Sequence, residues 1–515
     1  MTNMILKILD MAEAAYIPIL SLLAIFLLFI NYKTFQNQFR YVKKQTYIYL
    51  LIIFIAGVYI RLKFSPTFDI YNSDIEGYRI IAKDYFSNPS IIWTYKNPLY
   101  PFILAIYFKA FSLSLEGPSV VTLIFGSMSI IMIFIMTYIM FKDEKLSLIS
   151  AIIISLLPTH VFYSGTSVPE IIAMFFAMAV LSSFFVALEN RNLKICLFTY
   201  TLFLIAVLAK RENIIIIPVM AFALILIKWK EINRSILKKV SIKQAVILAT
   251  AILIAAPTFH ELHKQVNAVM GYLATSNSTV VSNLSHLSCT NTYFLLFVPF
   301  LFFIPKNRNS KKLAILIIWL ALSYAVIGFH MYYTGRFSVL TYVPWTILIS
   351  YGVSTFMQHF IKKIHISLLI AVLILPSLLT FSANTKWYEQ HKTWLFLESS
   401  RSNDKMLVDL VKPYAQNSDY LLITSRQQEA LLFKFIYSNA TIINVDEFLN
   451  RGSLSSFKNY ENVYFLKYKC DMGAKINNIL IENTKKYCDK LENLSKETIV
   501  KTKIANETDV EIRRL

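Results

Sequence analysis

Three short clusters of charged residues interrupt long apolar runs, and their residue types suit acid–base and phosphate chemistry. In the first, Asn72-Ser73-Asp74-Ile75-Glu76-Gly77-Tyr78-Arg79-Ile80-Ile81-Ala82, positions 74, 78 and 82 are spaced four apart. On a helix, Asp74, Tyr78 and Ala82 therefore share one stripe, with the carboxylate at the N-terminal end that the helix dipole favours. A carboxylate there can take the proton of an attacking hydroxyl. Ser73 or Asp74 capping a surface helix gives the same pattern. The second cluster is Lys210-Arg211-Glu212, wedged between two apolar runs. One reading is a specific anionic partner; the other is that Glu212 pairs with its basic neighbours, or that the two runs form one interrupted hairpin. The third is Tyr332-Tyr333-Thr334-Gly335-Arg336-Phe337, with Pro344 following. The fork of donors on Arg336 suits a phosphate, although an arginine flanked by tyrosines also serves as an interfacial anchor. Glu170, directly after Pro169 at the start of an apolar run, either caps its helix or faces a cavity. His260, His263 and His286 fall in one loop without metal-ligand spacing.

The elements that must hold these groups are membrane helices. Hydrophobic residues make up 56% of the 515, only 16% are charged, and the mean hydropathy is +0.52; an ordinary soluble domain carries about 25% charged residues. Crossing a bilayer takes about 17–25 predominantly apolar residues. Such runs predict about a dozen helices, near 14–31, 47–62, 117–141, 146–162, 169–188, 193–209, 213–228, 244–258, 291–304, 313–329, 337–355 and 366–382. The first run is followed by a basic loop and not by a cleavage site, so it is read as a retained helix.

The net charge of +20 is explained by topology without a nucleic-acid partner. Lys and Arg gather in alternate loops, at Lys33/Arg40/Lys43/Lys44, at Lys228–Lys243, at Lys306–Lys312 and at Lys362/Lys363. Excess positive charge marks cytoplasmic loops. The N-terminus, residues 63–116, 259–290 and 330–336, and everything after about 383 are then outside. Within the first outer loop, Leu99–Phe111 is apolar but too short to span, and reads as an amphipathic helix at the interface. Beyond Asn384 the hydropathy falls. Short strand-like runs at Tyr420–Thr424, Thr441–Val445 and Val463–Tyr468, with a helix-like Gln427–Tyr437, predict an α/β domain. The expected organisation is an extra helix and basic loop over 1–46, a transmembrane domain over 47–383, and an extracytoplasmic α/β domain over 384–515. Of the four cysteines, Cys196, Cys289, Cys470 and Cys488, the last two share the outer domain and are a candidate disulfide.

Taken together, the pattern Asp74-x-x-x-Tyr78-x-x-x-Ala82 followed by Asn97-Pro98-Leu99-Tyr100-Pro101 resembles the first outer loop of GT-C glycosyltransferases. The likeness is to the protein O-mannosyltransferase and aminoarabinose lipid A transferase group. Ser167-Val168-Pro169-Glu170, Leu208-Ala209-Lys210-Arg211-Glu212 and Gly335-Arg336-Phe337 running to Pro344 extend it over residues 47–360. The resemblance implies a GT-C fold and a transferase of the cytoplasmic membrane, working on its outer face. It implies a polyprenyl-phosphate-linked sugar as donor and a protein, lipid or glycan as acceptor. It maps the general base onto Asp74 and the donor-phosphate ligands onto Arg336, Lys210 and Arg211, with Glu76, Tyr78 and Glu170 facing the acceptor cavity. Glu76 either shares the base role or binds a divalent metal as in the oligosaccharyltransferase branch; no other cofactor is implied. Against this stand a lipid-glycan flippase or transporter, in which the buried charges bind a moving substrate, and a surface-polysaccharide polymerase or ligase.

Overall fold

The computed structural model describes residues 2–65, 73–88, 97–113, 117–190, 192–235, 301, 309–328, 339–360, 410–415, 420–424, 441–444, 460, 462–468, 491, 493, 497–504 and 508–515. They fall into two compact units. One contains residues 1–67, 87–110 and 116–390; the other contains residues 68–86, 111–115 and 391–515.

The first unit is helical. Its described elements are α1 (Thr2–Gln38), α2 (Lys44–Phe64), α4 (Leu99–Phe111), α5 (Gly117–Phe141), α6 (Glu144–Leu156), α7 (Pro158–Tyr163), α8 (Pro169–Asn190), α9 (Leu193–Ala209), a 3-10 turn (Arg211–Ile215), α10 (Ile216–Ser235), α11 (Ser310–Gly328) and α12 (Val339–Phe360). Helices α5, α8 and α9 form its centre, with α1 packed on α9, α2 on α5 and α6, and α12 on α6 and α8. Among the described residues five helices are long and apolar enough to cross a bilayer: the stretches Ala15–Gln38, Lys44–Phe64, Gly117–Phe141, Pro169–Asn190 and Val339–Gln358. Helices α1 and α2 are the peripheral ones, and they present Ile19, Leu22, Phe26 and Phe29, and Ile48, Leu51, Ile52 and Ile55, as exposed apolar rows suited to lipid. The helices expected near 244–258, 291–304 and 366–382 lie outside the described residues apart from position 301, as do Gln427–Tyr437, Cys470 and Cys488.

One expected span differs in form. The run 146–162 is not one helix but α6 and α7, separated by an extended Leu157. Pro158 has no N–H to give the carbonyl of Ile154, and its ring clashes with the preceding turn, so the helix stops and restarts with proline in its favoured first position.

Helix direction separates two ends of this unit. At one end the loops between α1 and α2, α5 and α6, and α8 and α9 meet the start of α11. There Thr46 and the amide of Lys43 bond Glu144, Lys142 bonds Gln38 and lies 3.4 Å from Glu189, and Lys312 donates to the carbonyl of Met140. Capping fixes the turns: Asp143 accepts from the Leu146 amide at 3.1 Å and Asn192 from that of Lys194 at 2.9 Å. The basic loop at 33–44 and Lys312 thus border the same end. At the other end α2 finishes, α5 and α8 begin, and α9 turns into α10.

The second unit holds α3 (Ser73–Asp84) and a five-stranded sheet of β1 (Tyr420–Thr424), β2 (Thr441–Asn444), β3 (Asn462–Tyr468), β4 (Glu497–Ile504) and β5 (Thr508–Arg514). The order is β2-β1-β3-β5-β4, with β2, β1 and β3 parallel and β5 antiparallel to both β3 and β4. Leu421, Ile423, Ile443, Phe465 and Leu491 form its core. The three expected strands are present, and β4 and β5 add a hairpin that the hydropathy did not reveal.

Candidate functional site

The end of the first unit opposite the basic loops carries a buried charge cluster. Lys210 Nζ donates to Glu170 Oε1 at 2.6 Å, and both side chains are almost fully buried. Glu212 Oε1 lies 3.9 Å from Lys210 Nζ and 3.8 Å from Arg211 Nε. Glu212 is nearly buried as well, whereas Arg211 keeps 22% of its side chain exposed. Among the described residues two carboxylates and two cations meet here, and such pairing is what makes burial tolerable in an apolar bundle.

Local chain geometry explains how the sequence builds this cluster. Helix α9 ends at Ala209, Lys210 is extended at φ −162°, and the chain tightens into the 3-10 turn before α10 begins just ahead of Pro218. The buried Asn213 side chain ties that turn down, donating to the carbonyls of Ala206 at 2.8 Å and Ala173 at 3.0 Å. Both bland expectations for Lys210-Arg211-Glu212 are present together: an interrupted hairpin, and a pairing of Glu212 with its basic neighbours. The interruption is what brings Lys210 to Glu170.

Glu170 is delivered by a pinned turn. Ser167 takes the left-handed conformation at φ 59°, uncommon for a residue with a Cβ and costing on the order of 1–2 kcal/mol. Its carbonyl accepts from the Tyr100 hydroxyl at 2.9 Å, and its Oγ lies 2.8 Å from Ser119 Oγ. Helix α4 thereby holds the entry to α8. Its bounds match the expected Leu99–Phe111, with Leu99, Tyr100, Phe102, Leu104, Ala105 and Phe108 buried and Ile106 and Phe111 exposed.

The remaining expected site residues are placed as follows. Asp74 and Glu76 both stand in the first turn of α3, on the second unit. Further along the helix Tyr78, Arg79, Ala82 and Tyr85 are buried. Arg336 lies outside the described residues. Among the described residues no three His, Cys, Asp or Glu side chains gather as metal ligands. Glu170 and Glu212 each lie against the Lys210 ammonium. Asn213 and Arg61 were not singled out in the sequence, and Ser167 only as the head of Ser167-Val168-Pro169-Glu170; what each holds in place depends on chain geometry that residue type alone does not reveal.

Residues 95–259 match the model of the dolichyl-phosphate-mannose-protein mannosyltransferase family, about a third of the chain. A solved structure of ArnT from Cupriavidus metallidurans in the apo state superposes with a TM-score of 0.59 at 9% identity, covering 90% of this chain and 97% of that one. The fold is that of the GT-C glycosyltransferases. The undecaprenyl-phosphate-bound form of the same ArnT gives a TM-score of 0.58 at 9% identity, covering 92% and 98%. The Archaeoglobus fulgidus oligosaccharyltransferase, tethered to an acceptor peptide containing the NVT sequon, gives 0.50 at 14% identity over 85% of this chain and 70% of that one. No curated protein matches at the sequence level. The GT-C likeness read from Asp74 to Pro344 therefore holds for the fold.

Proposed function

We propose that this chain moves one sugar from a polyprenyl-phosphate-linked donor to an acceptor on the outer side of the cytoplasmic membrane. The observation that carries this reading is the buried Glu170–Lys210–Glu212 cluster, with Arg211 at its edge, opposite the basic loops. Support comes from the GT-C fold, from the mannosyltransferase family match and from the ArnT relative that holds undecaprenyl phosphate.

In this reading Asp74 accepts the proton of the acceptor's nucleophilic group. The freed electron pair attacks the anomeric carbon, the bond from that carbon to the phosphate oxygen breaks, and polyprenyl phosphate leaves with the displaced pair. Charge therefore grows on the phosphate, and cations placed there in advance lower the barrier. Arg211 and Arg336 are assigned that task. Lys210, clamped by Glu170, holds the chain from which Arg211 projects and biases the local field. Glu76, Tyr78 and Glu170 are assigned to the acceptor cavity, and the acceptor is a protein, lipid or glycan. No step requires a metal; Glu76 would be the first residue to test if one were found.

The test is transfer of radiolabel from polyprenyl-phosphate sugars by the purified chain with membrane extract as acceptor source. The wild type transfers label, and Asp74→Asn loses at least about 100-fold, the lower range for a general base. Equal transfer by both removes Asp74 from the mechanism. No transfer with any donor favours a transporter.

A further inference from the structure

Arg61 and Arg79 are the largest fully buried side chains among the described residues, and Arg61 lies near the end of α2, packed against α6 and α7. Its five N–H donors are matched by five acceptors. The Nε donates to Ser164 Oγ at 3.3 Å, and Nη1 donates to the carbonyls of Gly57 at 2.9 Å and Ser155 at 3.4 Å. The Nη2 donates to the Ile154 carbonyl at 3.2 Å and to His160 Nδ1 at 2.6 Å. Arginine has no acceptor, so Nδ1 accepts and the ring proton of a neutral His160 is on Nε2. With all five donors engaged, this guanidinium is not placed to bind a phosphate.

The acceptors identify its purpose. The Ile154 carbonyl is the one that residue 158 serves in an unbroken helix, and residue 158 is a proline. Ser155 belongs to the same final turn of α6, at the negative end of that helix dipole. Arg61 thus replaces the donors that the break between α6 and α7 removes. Its Nε then reaches Ser164, whose Oγ also donates to the His160 carbonyl at 2.7 Å. Two glycines make room: a Cβ on Gly57 would meet Ile130 Cδ1 at 2.3 Å, and one on Gly126 would meet Ser164 Oγ at 2.2 Å.

We infer that Arg61 is a positioning residue for the site. It fixes the break between α6 and α7 and holds, at Ser164, the near end of the turn whose far end Tyr100 and Ser119 hold at Ser167. With both ends held, the turn presents Glu170 to Lys210, and Lys210 sets the place of Arg211. The inference rests on the reading of Arg211 as a phosphate ligand, and the following experiment separates the two.

Ser119→Cys and Ser167→Cys are introduced together into the full-length chain in lipid nanodiscs; the parent oxygens are 2.8 Å apart, so the pair is set to form a disulfide on oxidation. Oxidation rate and undecaprenyl phosphate affinity are then compared with Arg61 intact and in Arg61→Met. In Arg61→Met, cross-linking slows and the Kd rises, each about tenfold, and locking the pair by oxidation restores the Kd to within about twofold until reductant is added. Cross-linking at the parent rate in a folded Arg61→Met protein overturns the inference. So does a weakened Kd that the locked pair fails to restore. If Arg61→Met does not fold, Ser164→Ala removes one of the five acceptors and carries the same comparison, and parent-like cross-linking there is equally fatal. Slowed cross-linking with an unchanged Kd in both Arg61→Met and Arg211→Met retains the positioning role and removes Arg211 from phosphate binding.

Discussion

A lysine ammonium sealed from water 2.6 Å from a glutamate is stable only as one half of a pair. Removing either group takes a 2.6 Å ionic contact from a buried charge, so Lys210→Met and Glu170→Met should each destabilise the protein by about 3–5 kcal/mol, Glu170→Met toward the lower end because Glu212 stays 3.9 Å from Lys210. Replacing both with methionine should cost less than either single change, and thermal unfolding of the four proteins in detergent measures the coupling. Costs that simply add would mean the two groups do not depend on each other. Lys210 and Glu170 were each visible in the sequence as charges at the ends of apolar runs, but their pairing was not, because forty residues separate them. Arg61 escaped notice for another reason: with Lys63 close by, it looks like the usual basic end of a membrane helix, and only its acceptors reveal a buried role.

Helices were legible wherever an apolar run ended in a clear signal, as with Leu99–Phe111, Pro169 and Asn192. Pro158 was less informative by sequence, since proline is tolerated within membrane helices and the apolar run continues through it. Here the break is real and Arg61 fills it. The hairpin of β4 and β5 went unseen because Lys501, Lys503, Glu511 and Arg513 depress the hydropathy, while the alternation about Val500, Val510 and Ile512 is short. Close packing around the broken helix gives a prediction at this scale. In Gly126→Ala the new methyl meets both Oγ and Cβ of Ser164, at 2.2 and 2.6 Å, and a serine Cβ moves only with its backbone. That change should cost about 1–3 kcal/mol. Gly57→Ala presses mainly on the flexible end of Ile130 and should cost less. Melting temperatures of the two variants check the order, and a more damaging Gly57→Ala would contradict this account of the packing.

The helical unit separates its charges by end: basic loops and their capping carboxylates at one, the Glu170–Lys210–Glu212–Arg211 cluster at the other. The positive-inside rule assigns the first end to the cytoplasm. In a background in which Cys196, Cys289, Cys470 and Cys488 are all replaced by serine, Lys63→Cys should react with an impermeant thiol reagent added to intact cells, and Lys142→Cys only after the membrane is opened. The reverse pattern would invert the topology. Fold class was the most legible feature at this scale, because run length and loop charge are additive signals. The grouping of α3 with the C-terminal sheet was not legible, since nothing local in residues 68–86 announces it. The most direct test of the account is a structure of the full-length chain with undecaprenyl phosphate bound. The phosphate should sit at the Glu170 end of the helical unit, within hydrogen-bond reach of Arg211. A phosphate held among Lys142, Lys312 and the other basic residues of the opposite end would contradict it.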